Sequence, residues 1–159
     1  MTAVWVAGPG EAEAVAELIR GFRDWYARSR PDDESVRASV RRLLADPNTD
    51  FLLAAPGEGE APVGVCALRY RHSVWTGADD CWMEDLFVRP ETQGRGLGRA
   101  LVEAALQRAR ERGCLRVELD VDEDNRAARA LYARLGFDEH AKTGPPERTL
   151  FVGYHFEPG

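Results

Sequence analysis

Two stretches of the chain carry residue types that could do chemistry. The first is Gln93-Gly94-Arg95-Gly96-Leu97-Gly98-Arg99. It follows an apolar run and precedes a long segment of alternating apolar and charged residues, an order that reads as strand, tight turn, helix. Glycines at 94, 96 and 98 leave no Cβ in a ligand's way and open backbone conformations closed to other residues. The first N–H groups of a helix have no intrahelical partner, and they project with the positive end of its dipole. Together they form a cradle for a phosphate or pyrophosphate. The spacing is not G-x-G-x-x-G, because Arg99 takes the sixth place from Gly94, and no G-x-x-x-x-G-K-[ST] string occurs. It fits Gln/Arg-x-x-Gly-x-Gly/Ala at Gln93, Gly96 and Gly98. The other reading of the glycines is a turn that merely opens a helix.

The second stretch is Trp82-Met83-Glu84-Asp85-Leu86-Phe87-Val88, a strand with two adjacent acids. Period 2 puts Trp82, Glu84, Leu86 and Val88 on one face and Met83, Asp85 and Phe87 on the other. Both acids enter one site only if a bulge intervenes. A carboxylate inside an apolar strand is costly unless paired or hydrated. Glu84 and Asp85 are therefore either site residues or members of a structural salt bridge.

The surrounding elements must position these groups. Residues 2–7 read as a first strand, broken by Gly8-Pro9-Gly10. Val15, Leu18, Ile19, Phe22 and Tyr26 recur at helical spacing, giving an amphipathic helix that ends near 28–31. Trp25 and Tyr26 stand at its end, with core packing expected for at least one. Asp32 or Asp33 caps a second helix striped by Val36, Val40, Leu43 and Leu44. Residues 51–55 and 63–70 read as a hairpin, and 71–80 as a polar loop. Residues 96–112 form the helix after the glycines, with Gly113 at its end. Alternation over 114–121 predicts a strand, so strand, crossover helix and strand make a parallel pair. A fourth helix follows Asn125, with Ala128, Leu131, Tyr132 and Leu135 on one side and Gly136 closing it. Phe137 onward reads as a short strand, 143–146 as a loop and 149–156 as a last strand.

The 159 residues suit one domain, 1–159, with a sizeable core. Helices with apolar faces around strands place it in the α/β class. A net charge of −6 and a pI near 5.2 argue against nucleic acid as a main partner. No apolar run of 18 residues and no basic, apolar leader is present, which predicts a cytoplasmic protein with no membrane partner. Cys66, Cys81 and Cys114 show no CxxC spacing and read as buried thiols, without a nearby His to activate a nucleophile. No metal site is expected.

Glu84-Asp85-Leu86-Phe87-Val88-Arg89-Pro90, then 93–99, then Asn125-x-x-Ala128-x-x-Leu131-Tyr132-x-x-x-Gly136-Phe137, resemble the GCN5-related N-acetyltransferase (GNAT) superfamily. The strand motif is most similar to the diamine, or spermidine/spermine-type, branch. The resemblance implies one domain built on a central mixed, mostly antiparallel sheet with a parallel central pair, flanked by about four helices. It implies acetyl-CoA held by the main chain of Leu86, Phe87 and Val88, by Gln93, Gly94, Arg95, Gly96, Leu97, Gly98 and Arg99, and by Asn125 and Ala128. Glu84 is the implied base, directly or through a water, and Tyr132 the implied acid; Tyr132 also fits its helix's apolar stripe. Trp25, Tyr26, Glu84, Asp85, Glu118 and Asp120 border the acceptor, expected to be a primary amine of a small molecule. Arg28 and Arg30 replace the acidic patch of the diamine branch, which weakens the case for a polyamine. A homodimer is also implied. An acyl-CoA-binding regulatory module and a protein N-terminal or lysine acetyltransferase are the alternative readings.

Overall fold

A computed structural model describes residues 1–139 together with 155 and 156. They fall into two compact units, Met1–Asp120 and Val121–Gly159, each described by itself.

The first unit is a five-stranded sheet in the order β1-β2-β3-β4-β5, with three helices. Strands β1 (Ala3–Val6), β2 (Thr49–Ala55), β3 (Gly64–Ser73) and β4 (Ala78–Val88) pair antiparallel in sequence, and β5 (Arg116–Glu118) joins β4 in parallel. Helix α1 (Ala12–Trp25) presents Val15 and Leu18 to the sheet, and α2 (Asp33–Leu44) presents Val36 and Val40. They pack on Phe51, Leu53, Val65, Ala67 and Phe87. Helix α3 (Leu97–Glu111) buries Leu97, Leu101, Val102, Ala105 and Ala109. It lies on the opposite face, where a Cβ on Gly64 would come within 3.1 Å of Leu101. Burying five such side chains contributes several kcal/mol of apolar transfer free energy, at ~25 cal/mol per Å², and fixes the helix against the sheet.

The lower end of α3 is tied by polar groups. Tyr70 Oη donates to Asp50 Oδ2 at 2.8 Å, and Arg108 Nε donates to the same oxygen at 2.7 Å. Arg112 lies over the Tyr70 ring, 3.9 Å from its centre.

Three sequence expectations are corrected. The polar stretch 71–80 is not a loop: β3 and β4 run on as a hairpin to a turn at 74–77, where Gly77 takes φ +69°. Its residues are polar on both faces, so alternation does not show the strand, and His72 and Asp79 face each other as a cross-strand pair 3.4 Å apart. The strand expected over 114–121 shortens to Arg116–Glu118. The face assignment along β4 fails as well. Val65 pairs with Phe87 and Ala67 with Glu84, so Cys66 stands opposite two residues: a bulge. Asp85 occupies it at φ +54°, in the left-handed region that Asp tolerates better than most residues. Directly paired residues share a face, so Glu84 shares its face with Phe87, toward α1 and α2, and not with Leu86 and Val88.

The second unit contains α4 (Arg126–Arg134), capped by Asn125, whose Oδ1 accepts from the Ala128 N–H at 3.2 Å. The left-handed Gly136, at φ +93°, follows its last turn. Phe137 to Glu139 form no strand. The loop expected over 143–146 and nearly all of the last strand lie outside the described residues. No described helix is long and apolar enough to cross a membrane.

Candidate active site

The glycine turn builds an open helix end. Gly94 and Gly96 take φ +82° and +79°, conformations in which an L side chain is strained. Gly96 is the N-cap of α3 and offers no side-chain oxygen, and the first turn contains no acid. Ordinary caps supply that oxygen to an orphan N–H. A Cβ at Gly94, Gly96 or Gly98 would meet nothing within 4 Å, so the turn is open on the side where side chains would stand. Buried Leu97 anchors the turn from below. Arg95 is exposed, while Arg99 is engaged with Glu103, Nε to Oε1 at 2.8 Å. Gln93 Nε2 donates to the Val88 carbonyl at 3.2 Å, which occupies one of the three main-chain positions expected to receive a ligand.

The parallel pair is brief. β5 pairs with β4 only at Asp80, Cys81 and Trp82. Beyond Trp82, among the described residues, no strand pairs with that side of β4. The bulge, which adds local twist, begins two residues on. The main-chain groups of Leu86 and Phe87 on that side can therefore pair with an extended ligand, as an added strand would.

Glu84 is half-buried and lines a recess of about 390 Å³ with Trp82, Arg69, Arg71 and Asp46 among its walls. Burial first, and then the charge of Asp85, push its carboxyl above the usual carboxylate range; Arg69 opposes this, with Nη1 3.7 Å from Glu84 Oε2, and Asp120 adds to it. Asp85 is also raised, mainly by burial against Arg69's opposing charge, although the residue is exposed at the surface. A raised carboxylate in a recess suits a base working near neutral pH. A larger recess of about 770 Å³, lined by Asp122, Glu123, Asp124, Arg126 and Arg129, belongs to the second unit and holds none of the expected site residues.

The other expected residues divide. Glu118 is paired with Arg116 at 3.1 Å, so a salt bridge holds it. Asp120 is exposed and acts on Glu84 through its charge. Trp25 and Tyr26 are both exposed, so neither packs in the core as expected. Tyr26 instead stands edge-on to Phe22 with ring centres 5.2 Å apart, and Arg28 lies over it. Tyr132 is half-buried, its ring 5.5 Å from that of Phe137. Asn125 and Ala128 are joined to each other as helix cap and capped N–H. Burial pushes the Cys66 thiol up and that of Cys81 up to about 12, so neither is a thiolate nucleophile near neutral pH. Arg69 and Arg71 were not singled out from the sequence. Their signal was Leu68-Arg69-Tyr70-Arg71, two cations two residues apart on a strand.

Residues 15–137 match the Acetyltransferase (GNAT) family. The chain is 36% identical to a thialysine N-epsilon-acetyltransferase of Sus scrofa, over 82% of this chain and 80% of that protein. It is 30% identical to an aminoglycoside N(6')-acetyltransferase type 1 of Stenotrophomonas maltophilia, over 96% of this chain and 92% of the relative. A solved acetyltransferase structure from Arthrobacter sp. FB24 superposes with a TM-score of 0.79 at 30% identity, covering 98% of this chain and 95% of the other.

Proposed function

We propose, from the premise that the chain belongs to the acetyltransferase (GNAT) family, that it transfers the acetyl group of acetyl-CoA directly to a primary amine of a small molecule. It is an N-acetyltransferase by class. The family match runs through both units, and we take residues 1–159 as one catalytic domain. The relatives are named for acetylation at nitrogen of thialysine and of aminoglycosides, which supports a small-molecule amine here.

The open end of α3 fits the donor. Its uncapped N–H groups and the open side of the turn at Gly94, Gly96 and Gly98 suit a diphosphate, with Arg95 adding charge. The main chain of Leu86 and Phe87 suits the amide-bearing arm. Asn125 would contact the donor only in addition to its work as a cap. When bound, acetyl-CoA supplies a thioester: the amine nitrogen bonds to its carbonyl carbon, the C–S bond breaks, and sulfur leaves with the electron pair.

The chain's own residues handle the protons. An alkyl amine near the lysine reference of about 10.4 enters as an ammonium ion. The Glu84 carboxylate takes one proton from it, directly or through a water, and frees the lone pair. Tyr132 is assigned as the donor of a proton to the departing sulfur, on its place in the Asn125 to Phe137 pattern, and the second proton, which the nitrogen sheds as the amide forms, restores the Tyr132 hydroxyl. No acyl-enzyme is needed, since positioning accounts for much of the rate in a direct transfer.

The observation that carries this reading is Glu84: a carboxylate held above its usual range in a recess, on a strand whose neighbouring edge is open. The test is release of free CoA from acetyl-CoA with a panel of amines, the product identified by mass. Turnover that collapses in Glu84→Gln supports it. CoA binding without turnover of any amine would leave an acyl-CoA-binding module instead.

A further inference from the structure

The recess beside Glu84 carries cations that a base does not require. Arg69 and Arg71 lie two residues apart on β3 and so project from one face. Arg69 is paired across the strands with Trp82, and Ala67 with Glu84, so these side chains share that face. The 3.7 Å between Arg69 and Glu84 is a charge contact and too long for a hydrogen bond, which leaves the guanidinium donors available. Arg71 is exposed and has no ion-pair partner among the described residues. The second acid of the lining is already used: Asp46 accepts from the Asn48 N–H at 2.9 Å and from the Thr49 hydroxyl at 3.1 Å. Asp85 and Asp120 act on Glu84 by charge but do not line the recess.

The charge balance changes when the base works. The ammonium and Glu84 enter as a cation and an anion, and after proton transfer both are neutral. Arg69 then has lost its nearest charge and keeps only the more distant carboxylates of Asp46 and Asp85, neither of which takes its donors, in a partly desolvated recess where an unmet cation is unfavourable. An anionic group on the acceptor itself restores the balance, and guanidinium binds carboxylate and phosphate through paired, charge-assisted hydrogen bonds. A di- or polyamine would instead bring a second positive charge against two guanidiniums. We infer that the acceptor is an amine that also bears an anionic group, a carboxylate or a phosphate, held by Arg69 and Arg71 while its nitrogen lies at Glu84. This deepens the acetyltransferase reading and rests on Glu84 being its base.

The test uses the full chain, acetyl-CoA and matched amines that differ in one charge: 6-aminohexanoate against 6-aminohexanamide, and phosphoethanolamine against ethanolamine. The anionic member of at least one pair is acetylated with a kcat/KM about tenfold or more higher, the size of a charge-assisted hydrogen bond. Which pair shows the preference separates carboxylate from phosphate. Arg71→Gln and Arg69→Gln each pull that ratio toward one, through the KM of the anionic member rather than through kcat. Arg71 is exposed, so its variant remains informative if Arg69→Gln folds poorly. Equal or better use of the neutral members, or a ratio unchanged in both variants, overturns the inference and leaves the acetyltransferase reading standing. No CoA release from any amine overturns both.

Discussion

Helices α2 and α3 begin in opposite ways. Asp32 accepts from the Ser35 N–H at 2.8 Å, and Asp33 and Glu34 fill the first turn of α2, so that end is satisfied from within the chain. Asn125 does the same for α4. The start of α3 has a left-handed glycine, no capping oxygen and no acid. An exposed helix gains ~1 kcal/mol from a cap, and α3 forgoes it. It recovers order from below, through Leu97, Leu101 and the Asp50–Tyr70–Arg108 cluster. The difference teaches that a helix end left open to an outside anion is marked by what it lacks. The same contrast divides the carboxylates. Asp80 is buried and bound to Arg116, and its charge is met. Glu84 is left with a distant arginine and an acid neighbour, and its charge is available for a proton.

Substitutions can break that contrast or sharpen it. Glu84→Gln has the largest effect: removing the open carboxylate should cut kcat/KM by ~10²–10⁴, the worth of a general base, with acetyl-CoA binding by calorimetry unchanged. Gly98→Val comes next. A Cβ at this position meets nothing within 4 Å, and valine is no worse than glycine in a helix, so the melting temperature should hold. The side chain takes up room on the open side of the turn, and the KM for acetyl-CoA should rise roughly tenfold or more, as for the loss of hydrogen bonds to a charged group. A variant that binds the donor normally would show that this end is an ordinary turn.

Asp85→Asn gives a smaller effect. Glu84 works as a carboxylate, so kcat/KM falls as pH drops through its raised pKa. Removing the Asp85 charge leaves burial as the main cause of that rise, and the acid limb of the profile should move to lower pH. The sign for stability is opposite. A carboxyl whose pKa is raised by folding stabilises the fold below its unfolded value, and that contribution is lost as pH rises through the folded one. Denaturant titrations of wild type and Glu84→Gln at two pH values would show whether the wild type loses more ground on the alkaline side than the variant, which keeps the raised Asp85. The smallest effect belongs to α2: Asp32→Ala should lower stability by ~1 kcal/mol and leave the KM for acetyl-CoA where it was.

How much of this was legible in the sequence follows from where the information is local. The helices were, because apolar residues such as Val15, Leu18, Val36 and Val40 repeat at the period of the face they bury. The glycine turn was, because left-handed backbone at 94 and 96 demands that residue type. The bulge was not. One residue at positive φ decides it, and Asp85 serves as well in a plain strand or a turn as in a bulge. The hairpin ends at 71–80 were hidden because residues beyond the reach of the packed helices need not alternate. The cations of the recess were unread because Arg69 meets Glu84 only across paired strands.

The extra residue at 85 has a consequence for any attempt to transfer chemistry between related chains. A strand offers only two phases, and β4 changes phase at that point. Aligning from Phe87 backwards, or from Trp82 forwards, gives two different answers for which acid shares the face of Trp82 and Arg69. Deleting Asp85 would not simply remove one carboxylate. It would straighten the strand: Glu84, Leu86 and Phe87 would stand opposite Ala67, Cys66 and Val65 in plain alternation, each half keeping its face, and the local twist of the bulge would be lost.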